Sequence, residues 1–367
     1  MVLRGGGTRS DLGRPPDRAD LSLDLRELAG IIEHHGRDLT VEAWAGTTVA
    51  ELNRTLRPTG QLLPLDPPFP ERATLGGVIA AGEPGIRTVP GARPGDLLLG
   101  FSAVLADGTR IRSGGRVVKN VTGYQLTRLF TGSLGTLGAI TRVTLRLRAL
   151  PEASRTVVVP LPGNDSAAEF ADRALAAAGA ATDPEALAIV PPGTGLPGLP
   201  ENGGFHFAAR FAGLREEAEA PVDELVRRAG GAHETLEGSA EAAFWSGARD
   251  FSPAVPRARS EVGIALRGPE AGVLRTAWRL ASLGPPIVYG TQRRALASFP
   301  PASFPRALRL VAREAGVRME VQTGPPGFQA AHPVFTPPLP QAVGALSRRI
   351  REALDPAGVL APGRTPF

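Results

Sequence analysis

Along the first 150 residues, apolar and polar positions alternate in short stretches. Beyond them, apolar residues recur at helical spacing over longer ones. Residues 21–25, 39–45 and 139–147 read as strands, the last setting apolar positions against arginine and threonine. Segments 97–105 and 110–113 flank Asp107-Gly108, which predicts a hairpin. A helical turn or two is expected at 28–36. A helix opened by a capping box from Thr48 to Glu51 is expected at 47–56, and a short amphipathic helix at 123–131. After Leu150-Pro151, alanine-rich helices are predicted at 166–179, 216–229, 269–283, 303–316 and 339–354. They alternate with strands at 156–160, 205–211, 261–266, 286–289 and 317–322. That alternation predicts an α+β domain with a mainly antiparallel sheet, so the chain divides into domains 1–150 and 151–367.

Composition narrows the function classes. A chain of 367 residues with 42% hydrophobic and 21% charged residues describes a soluble globular protein long enough for two cores. The net charge of +5 comes from scattered basic residues interleaved with 36 acids. Without a basic block, nucleic acid is not an expected partner. Cysteine is absent, which excludes disulfides, a cysteine nucleophile and a cysteine-ligated iron–sulfur cluster in this chain. No apolar run reaches the roughly 18 residues of a membrane span, and Met1-Val2-Leu3-Arg4-Gly5 has no signal core. A cytoplasmic location is expected, and no metal site is.

Three glycine-rich runs carry the candidate chemistry. Gly5-Gly6-Gly7-Thr8 follows the strand-like Val2-Leu3, and consecutive glycines can turn N–H groups toward one anion. No helix-forming sequence follows, which argues against a dinucleotide fingerprint, and Gly-Lys-Ser/Thr is missing, which argues against a Walker loop. The second run, Thr74-Leu75-Gly76-Gly77-Val78-Ile79-Ala80-Ala81-Gly82, follows Asp66-Pro67-Pro68 and presents a small face to a flat ligand. The third is Gly132-Ser133-Leu134-Gly135-Thr136-Leu137-Gly138. Together they point to one long, phosphate-containing ligand threaded between layers. Of 41 basic residues only Lys119 is lysine, a compact ammonium within the motif-dense stretch that ends in Asn120-Val121-Thr122-Gly123-Tyr124.

These residues carry a resemblance. Arg4 to Thr8, Ala45-Gly46-Thr47-Thr48-Val49-Ala50-Glu51-Leu52, the 60–68 stretch and Thr74-Leu75-Gly76-Gly77 occur in the order seen in the PCMH-type FAD-binding domain of the vanillyl-alcohol-oxidase family. The Lys119–Tyr124 and Gly132–Gly138 blocks, Phe244-Trp245 with Arg249-Asp250, and the ending at 354–364 resemble the FAD-binding subunit of bacterial glycolate oxidase, a relative of D-lactate dehydrogenases. The resemblance implies two α/β subdomains followed by the α+β domain. It implies that Arg4, Gly5, Gly6, Gly7 and Thr8 cradle the FAD pyrophosphate. Pro67, Thr74, Gly76, Gly77, Ala80, Ala81 and Gly82 would line the diphosphate and flavin, Gly135, Gly138 and Ile140 the adenine end, and Lys119 and Asn120 would lie near the flavin. Gln125 departs from the family's usual aspartate, and Gly95 precedes Asp96 where arginine is usual. Relatives carry a strand–helix–strand of about fifty residues before the glycine triplet. Against that pattern the smaller subdomain is expected to lack its first unit: either the start is assigned too late and an upstream extension completes it, which is the favoured expectation, or the cofactor cleft lacks a wall.

Covalent flavin attachment needs histidine, cysteine, tyrosine or aspartate. The early histidines, His34 and His35, are expected on a solvated polar helix, so FAD is expected to be non-covalent. Oxidising a 2-hydroxy acid needs a cation for the carboxylate, a base for the hydroxyl proton and flavin as hydride acceptor. The second domain offers His206, His233 and His332 as bases, of which His332 is the best candidate. Arg249, Arg257, Arg259, Arg293 and Arg294 are the candidates for binding the carboxylate, though among 40 arginines a solvated or salt-bridged role competes for each; Arg249 lies in the tryptophan segment. So sparse a site fits a role in which a second, FAD-containing catalytic subunit does most of the oxidation. Electrons would pass to an iron–sulfur subunit, and the assembly could sit at the inner face of the membrane. A stand-alone FAD oxidoreductase and a flavin-free structural subunit remain alternatives.

Overall fold

A computed structural model describes residues 1–88, 91–115, 125–161, 166–199, 204–229, 232–251, 260–290, 293–332, 334–336, 338 and 340–364. The chain forms two units. One comprises Met1–Gly85, Gly91–Leu150 and Leu339–Phe367, the other Ile86–Pro90 and Pro151–Pro338. The terminal segment from residue 339, expected in the second domain, therefore groups with the first.

The first unit contains β1 (Val2–Arg4), β2 (Ser22–Asp24), β3 (Ile31–His35), β4 (Thr40–Trp44), α1 (Val49–Leu56), β5 (Gln61–Leu62), α2 (Leu75–Ala81), α3 (Pro94–Leu97), β6 (Leu98–Val104), β7 (Arg110–Gly114), α4 (Leu126–Phe130), β8 (Ala139–Arg146) and β9 (Arg148–Ala149). β1 and β2 pair in parallel, and β5 pairs with β9. The main sheet is antiparallel in the order β3-β4-β8-β6-β7. Its buried positions Val41, Ala43, Phe101, Val143 and Leu145 follow the two-residue period of a half-covered sheet. The predicted hairpin is β6–β7, held by Asp107 accepting from the Thr109 N–H at 2.8 Å. Thr48 caps α1, accepting from the Glu51 N–H at 3.1 Å.

The helical turn expected at 28–36 is instead the edge strand β3. Ile31 and Ile32 are β-branched, and the ladder from Ile31↔Ala43 to His35↔Thr40 fixes them in extended backbone. His34 and His35 thus lie on a strand, where His34 Nε2 meets Gln61 Oε1 at 2.9 Å and His35 Nε2 meets Glu33 Oε2 at 3.0 Å.

The second unit contains β10 (Ala153–Leu161), α5 (Ala167–Ala180), β11 (Ala186–Val190), β12 (Phe205–Gly213), α6 (Arg215–Ala229), β13 (Glu234–Leu236), α7 (Gly238–Asp250), β14 (Val262–Arg267), α8 (Glu270–Leu280), β15 (Ile287–Tyr289), β16 (Arg294–Phe299), α9 (Phe304–Val311), β17 (Arg318–Thr323), α10 (Phe328–Ala331) and β18 (Phe335–Thr336). Its strands form one nine-stranded sheet, β13-β10-β12-β11-β15-β16-β14-β17-β18, antiparallel throughout. Both faces are covered. Val157, Ile189, Ala209 and Ile264 pack with Phe170, Val273, Ala277 and Phe304 of α5, α8 and α9. Val158, Ala188, Ala208 and Ala265 pack with Phe244, Trp245 and Ala248 of α7.

A polar network anchors α7 beneath its sheet face. Buried Glu241 accepts hydrogen bonds from the Ser154 and Thr156 hydroxyls and lies 3.2 Å from Arg210 Nε. The Trp245 Nε1–H donates to Thr156 Oγ1 at 2.8 Å. The last helix, α11 (Gln341–Leu354), returns the chain to the first unit.

His206, on β12 between Pro160 and Val190, shares the α7-side face with Ala208. It is 2% exposed, and neither ring nitrogen has a partner among the described residues. Burial pushes its pKa below the ordinary 6.5, so the folded chain holds it neutral. The unfolded chain binds the extra proton. Stability is therefore full above pH 6.5 and falls as pH drops from there toward the depressed folded value. Urea midpoints of wild type and His206→Phe, measured from pH 7.5 down to 5, should diverge as a result. Parallel pH profiles would remove His206 from the account.

Candidate functional site

The three glycine-rich runs form a closed ring of contacts in the first unit. The triplet packs on the segment entering α2. A Cβ added at Gly5 would lie 2.3 Å from Thr74 Oγ1, and one at Gly6 only 1.6 Å from the Arg72 carbonyl oxygen. Arg9, just past the triplet, pairs with Glu83 at 3.5 Å. The carbonyls at the end of α2 then accept from the third run: Gly132 N–H to Ile79 O at 3.0 Å, and Leu134 N–H to Ala80 O at 2.8 Å. Gly82, at φ +65°, leaves room for Gly132. The ring closes at Gly135, at φ +74°, whose missing side chain faces Leu3 of β1. Side-chain-poor backbone at these positions is what lets three loops approach so closely.

Packing already engages several residues expected to face the ligand. Gly76 is buried with Ala45 Cβ 2.7 Å from its would-be Cβ, and its N–H donates to Ala45 O at 2.8 Å. Leu75 N–H donates to Thr47 O at 2.9 Å, and Gly77 N–H to Thr74 Oγ1 at 3.4 Å. The first amides of α1 are engaged too: Val49 N–H donates to Ala73 O at 2.9 Å and Ala50 N–H to Pro70 O at 3.0 Å. Gly138 packs on Val104 O and Phe130, while Ile140 lies buried on β8 opposite Ala103, and Pro67 is buried. These residues shape the frame of the site. By contrast, the N–H groups of Gly5, Gly6, Gly7 and Thr8 have no acceptor among the described residues. Such a run of unclaimed donors is what an anion nest requires.

Beside the triplet opens a cleft of about 310 Å³, at the lower end of small-molecule sites. Backbone of Gly6 and Gly46 and the hydroxyl residues Thr48 and Thr74 line it, together with Arg4, Arg26, Arg72, Glu51 and Glu71. Sequence reasoning missed Arg72, because one arginine among 40 carries no local signal. Arg26 is held by Asp24 through bonds of 2.6 to 3.0 Å, and its guanidinium brings the Asp24 pKa down to about 2. Unpaired amides, guanidinium groups and a backbone too close for side chains fit the phosphates of a dinucleotide.

Lys119, Asn120, Arg257 and Arg259 lie outside the described residues. The two catalytic candidates of the second unit are not brought to one place. His332 closes α10 and stacks on Phe304 and Phe328, at ring distances of 4.8 and 4.3 Å, on the α9 side of the sheet. Arg249 belongs to α7, which covers the other face, and it pairs with Asp250 at 2.8 Å. Arg294 is buried on β16. Among the described residues, no cluster of histidine, cysteine or carboxylates could hold a metal ion, and no helix is long and apolar enough to cross a membrane.

Residues 1–114 match the family model for the FAD binding domain. Two curated relatives give a finer comparison. Glycolate oxidase subunit GlcE of Escherichia coli (strain K12) is 34% identical over 173 residues, covering 47% of this chain and 49% of that protein. Glycolate oxidase subunit GlcD of Bacillus subtilis (strain 168) is 34% identical over 177 residues, 48% of this chain and 38% of that protein. The chain spans about half the length, or less, of these relatives. A solved alkyldihydroxyacetonephosphate synthase shares the fold, with a TM-score of 0.65 and 16% identity over 98% of this chain and 71% of that one.

Proposed function

We propose that the chain binds one FAD non-covalently and serves as the FAD-binding subunit of an assembly that oxidises 2-hydroxy acids to 2-oxo acids. The observation that carries this reading is the ring of glycine runs around unclaimed triplet amides. The likeness to two glycolate oxidase subunits supports the substrate class. Bound FAD supplies a hydride acceptor. The chain's own part is to hold the diphosphate and fix the dinucleotide against the first unit. Non-covalent binding accords with the lack of cysteine, and with His34 and His35 being held by Gln61 and Glu33.

A second, FAD-containing catalytic subunit and an iron–sulfur subunit are the proposed partners, in the cytoplasm or at the inner membrane face. Two observations favour them. A chain without cysteine has no thiolates for a cluster, and His332 and Arg249 lie on opposite faces of one sheet. The purified chain should carry roughly one FAD, released without covalent label on denaturation. A preparation that is colourless and stays so after incubation with FAD would sink the cofactor reading. Glycolate turnover by the isolated chain would overturn the dependence on partners.

A further inference from the structure

The cleft has an anion-holding device that the glycine motifs do not include. In many nucleotide sites a helix N-terminus holds the phosphate. Here the leading amides of α1 and α2 are bonded to Ala73 O, Pro70 O, Thr47 O and Ala45 O, so neither helix end is free to do so. The donors left are the four amides of Gly5 to Thr8 and the guanidinium groups of the cleft. Of those groups, Arg26 is committed to Asp24. Arg4 and Arg72 make no contact ion pair among the described residues, and Arg4 acts on Asp24 only at longer range.

Arg72 is the better placed of the two. Its carbonyl oxygen is the atom that forbids a side chain at Gly6, and its Nη2 lies 3.5 Å from the Gly6 carbonyl oxygen. Backbone and side chain together set this guanidinium against the triplet. Its planar fork suits two oxygens of one phosphate, which a point charge cannot match. Glu51 and Glu71, on the same cleft, keep it from being an indiscriminate anion trap, and carboxylates suit sugar hydroxyls.

We infer that Arg72, supported by Arg4, clamps the FAD diphosphate beside the triplet amides and is the main specificity determinant for a dinucleotide over the bare flavin. The inference rests on the FAD reading above. It is tested on the full-length chain, stripped of flavin, by titration with FAD, riboflavin and inorganic pyrophosphate, followed by flavin fluorescence and calorimetry. Arg72→Ala should weaken FAD and pyrophosphate by roughly 10- to 100-fold and leave riboflavin unchanged. Arg72→Lys should recover only part of the loss, and Arg26→Ala should stay within about twofold, its guanidinium being engaged elsewhere. Thermal unfolding of each apo variant shows that the fold is kept, since the Arg72 side chain is exposed. If wild type binds no FAD, the FAD reading itself fails. If wild type binds FAD and Arg72→Ala retains that affinity within twofold, or loses riboflavin equally, the clamp alone is refuted.

Discussion

Replacing Gly6 by alanine should abolish FAD retention and lower the stability of the first unit by about 1–3 kcal/mol, toward the upper end. The added Cβ would sit 1.6 Å from the Arg72 carbonyl oxygen, a distance no packed carbon tolerates. The opposing atom is backbone, bracketed by Ala73 O bonded to the Val49 N–H and Leu75 N–H bonded to Thr47 O. It cannot swing aside as a flexible side chain would. Relief has to come from moving the triplet, which scatters the four amides of Gly5 to Thr8. Gly115→Ala is the control: a Cβ there meets nothing within 4 Å and the backbone needs no left-handed angle, so it should be neutral. Flavin content after gel filtration and apo-protein melting read the two effects separately. A Gly6→Ala chain that melts with wild type and stays yellow would refute the close approach.

Trp245→Ala should remove about 3–5 kcal/mol from the second unit. The indole is 1% exposed, meets Phe244 edge-on at 5.3 Å, and donates to Thr156 Oγ1 in the network around Glu241. Truncation opens a cavity under the nine-stranded sheet and leaves Thr156 short of a donor. Trp245→Phe keeps part of the volume but loses the hydrogen bond, and should fall between the two. Urea unfolding of the three chains gives the order directly. A loss below about 1 kcal/mol for the alanine variant would mean that α7 is not packed as described.

The features legible in the sequence were those with a local cause. Asp107-Gly108 marks its own hairpin, and the glycine triplet announces backbone that must come close to something. β11, by contrast, was invisible. Ala186-Leu187-Ala188-Ile189-Val190 is buried on both faces, so it shows no alternation, and alanine and leucine favour helix when read alone. β16, with all six residues from Arg294 to Phe299 buried, was missed for the same reason. β3 failed differently: its extended form is imposed by the ladder to β4, a contact that no window of neighbouring residues contains.

The site divides along the same line. Gly5 to Thr8 stand out because three consecutive glycines leave the backbone bare enough for a close approach. Gly76 could be picked out too, and both its N–H and its missing side chain meet Ala45, a contact that only the fold reveals. Arg72 could not be found at all, since its meaning comes from Gly6, sixty-six residues away in the chain.

Residues 361–364 knit into residues 1–17 of the same unit. The Ala361 N–H donates to Met1 O, the Arg14 N–H to Arg364 O, and the Asp17 N–H to Pro362 O. The Arg364 guanidinium donates to the carbonyls of Ser10 and Leu12. The Arg364 bonds span 354 and 352 residues of chain, so the strand that leads into the triplet is made long before its bracing is. The second unit, contiguous but for five residues, is free to fold meanwhile. A polypeptide ending short of residue 361 is therefore expected to form the nine-stranded sheet yet to leave the triplet unbraced and hold flavin poorly.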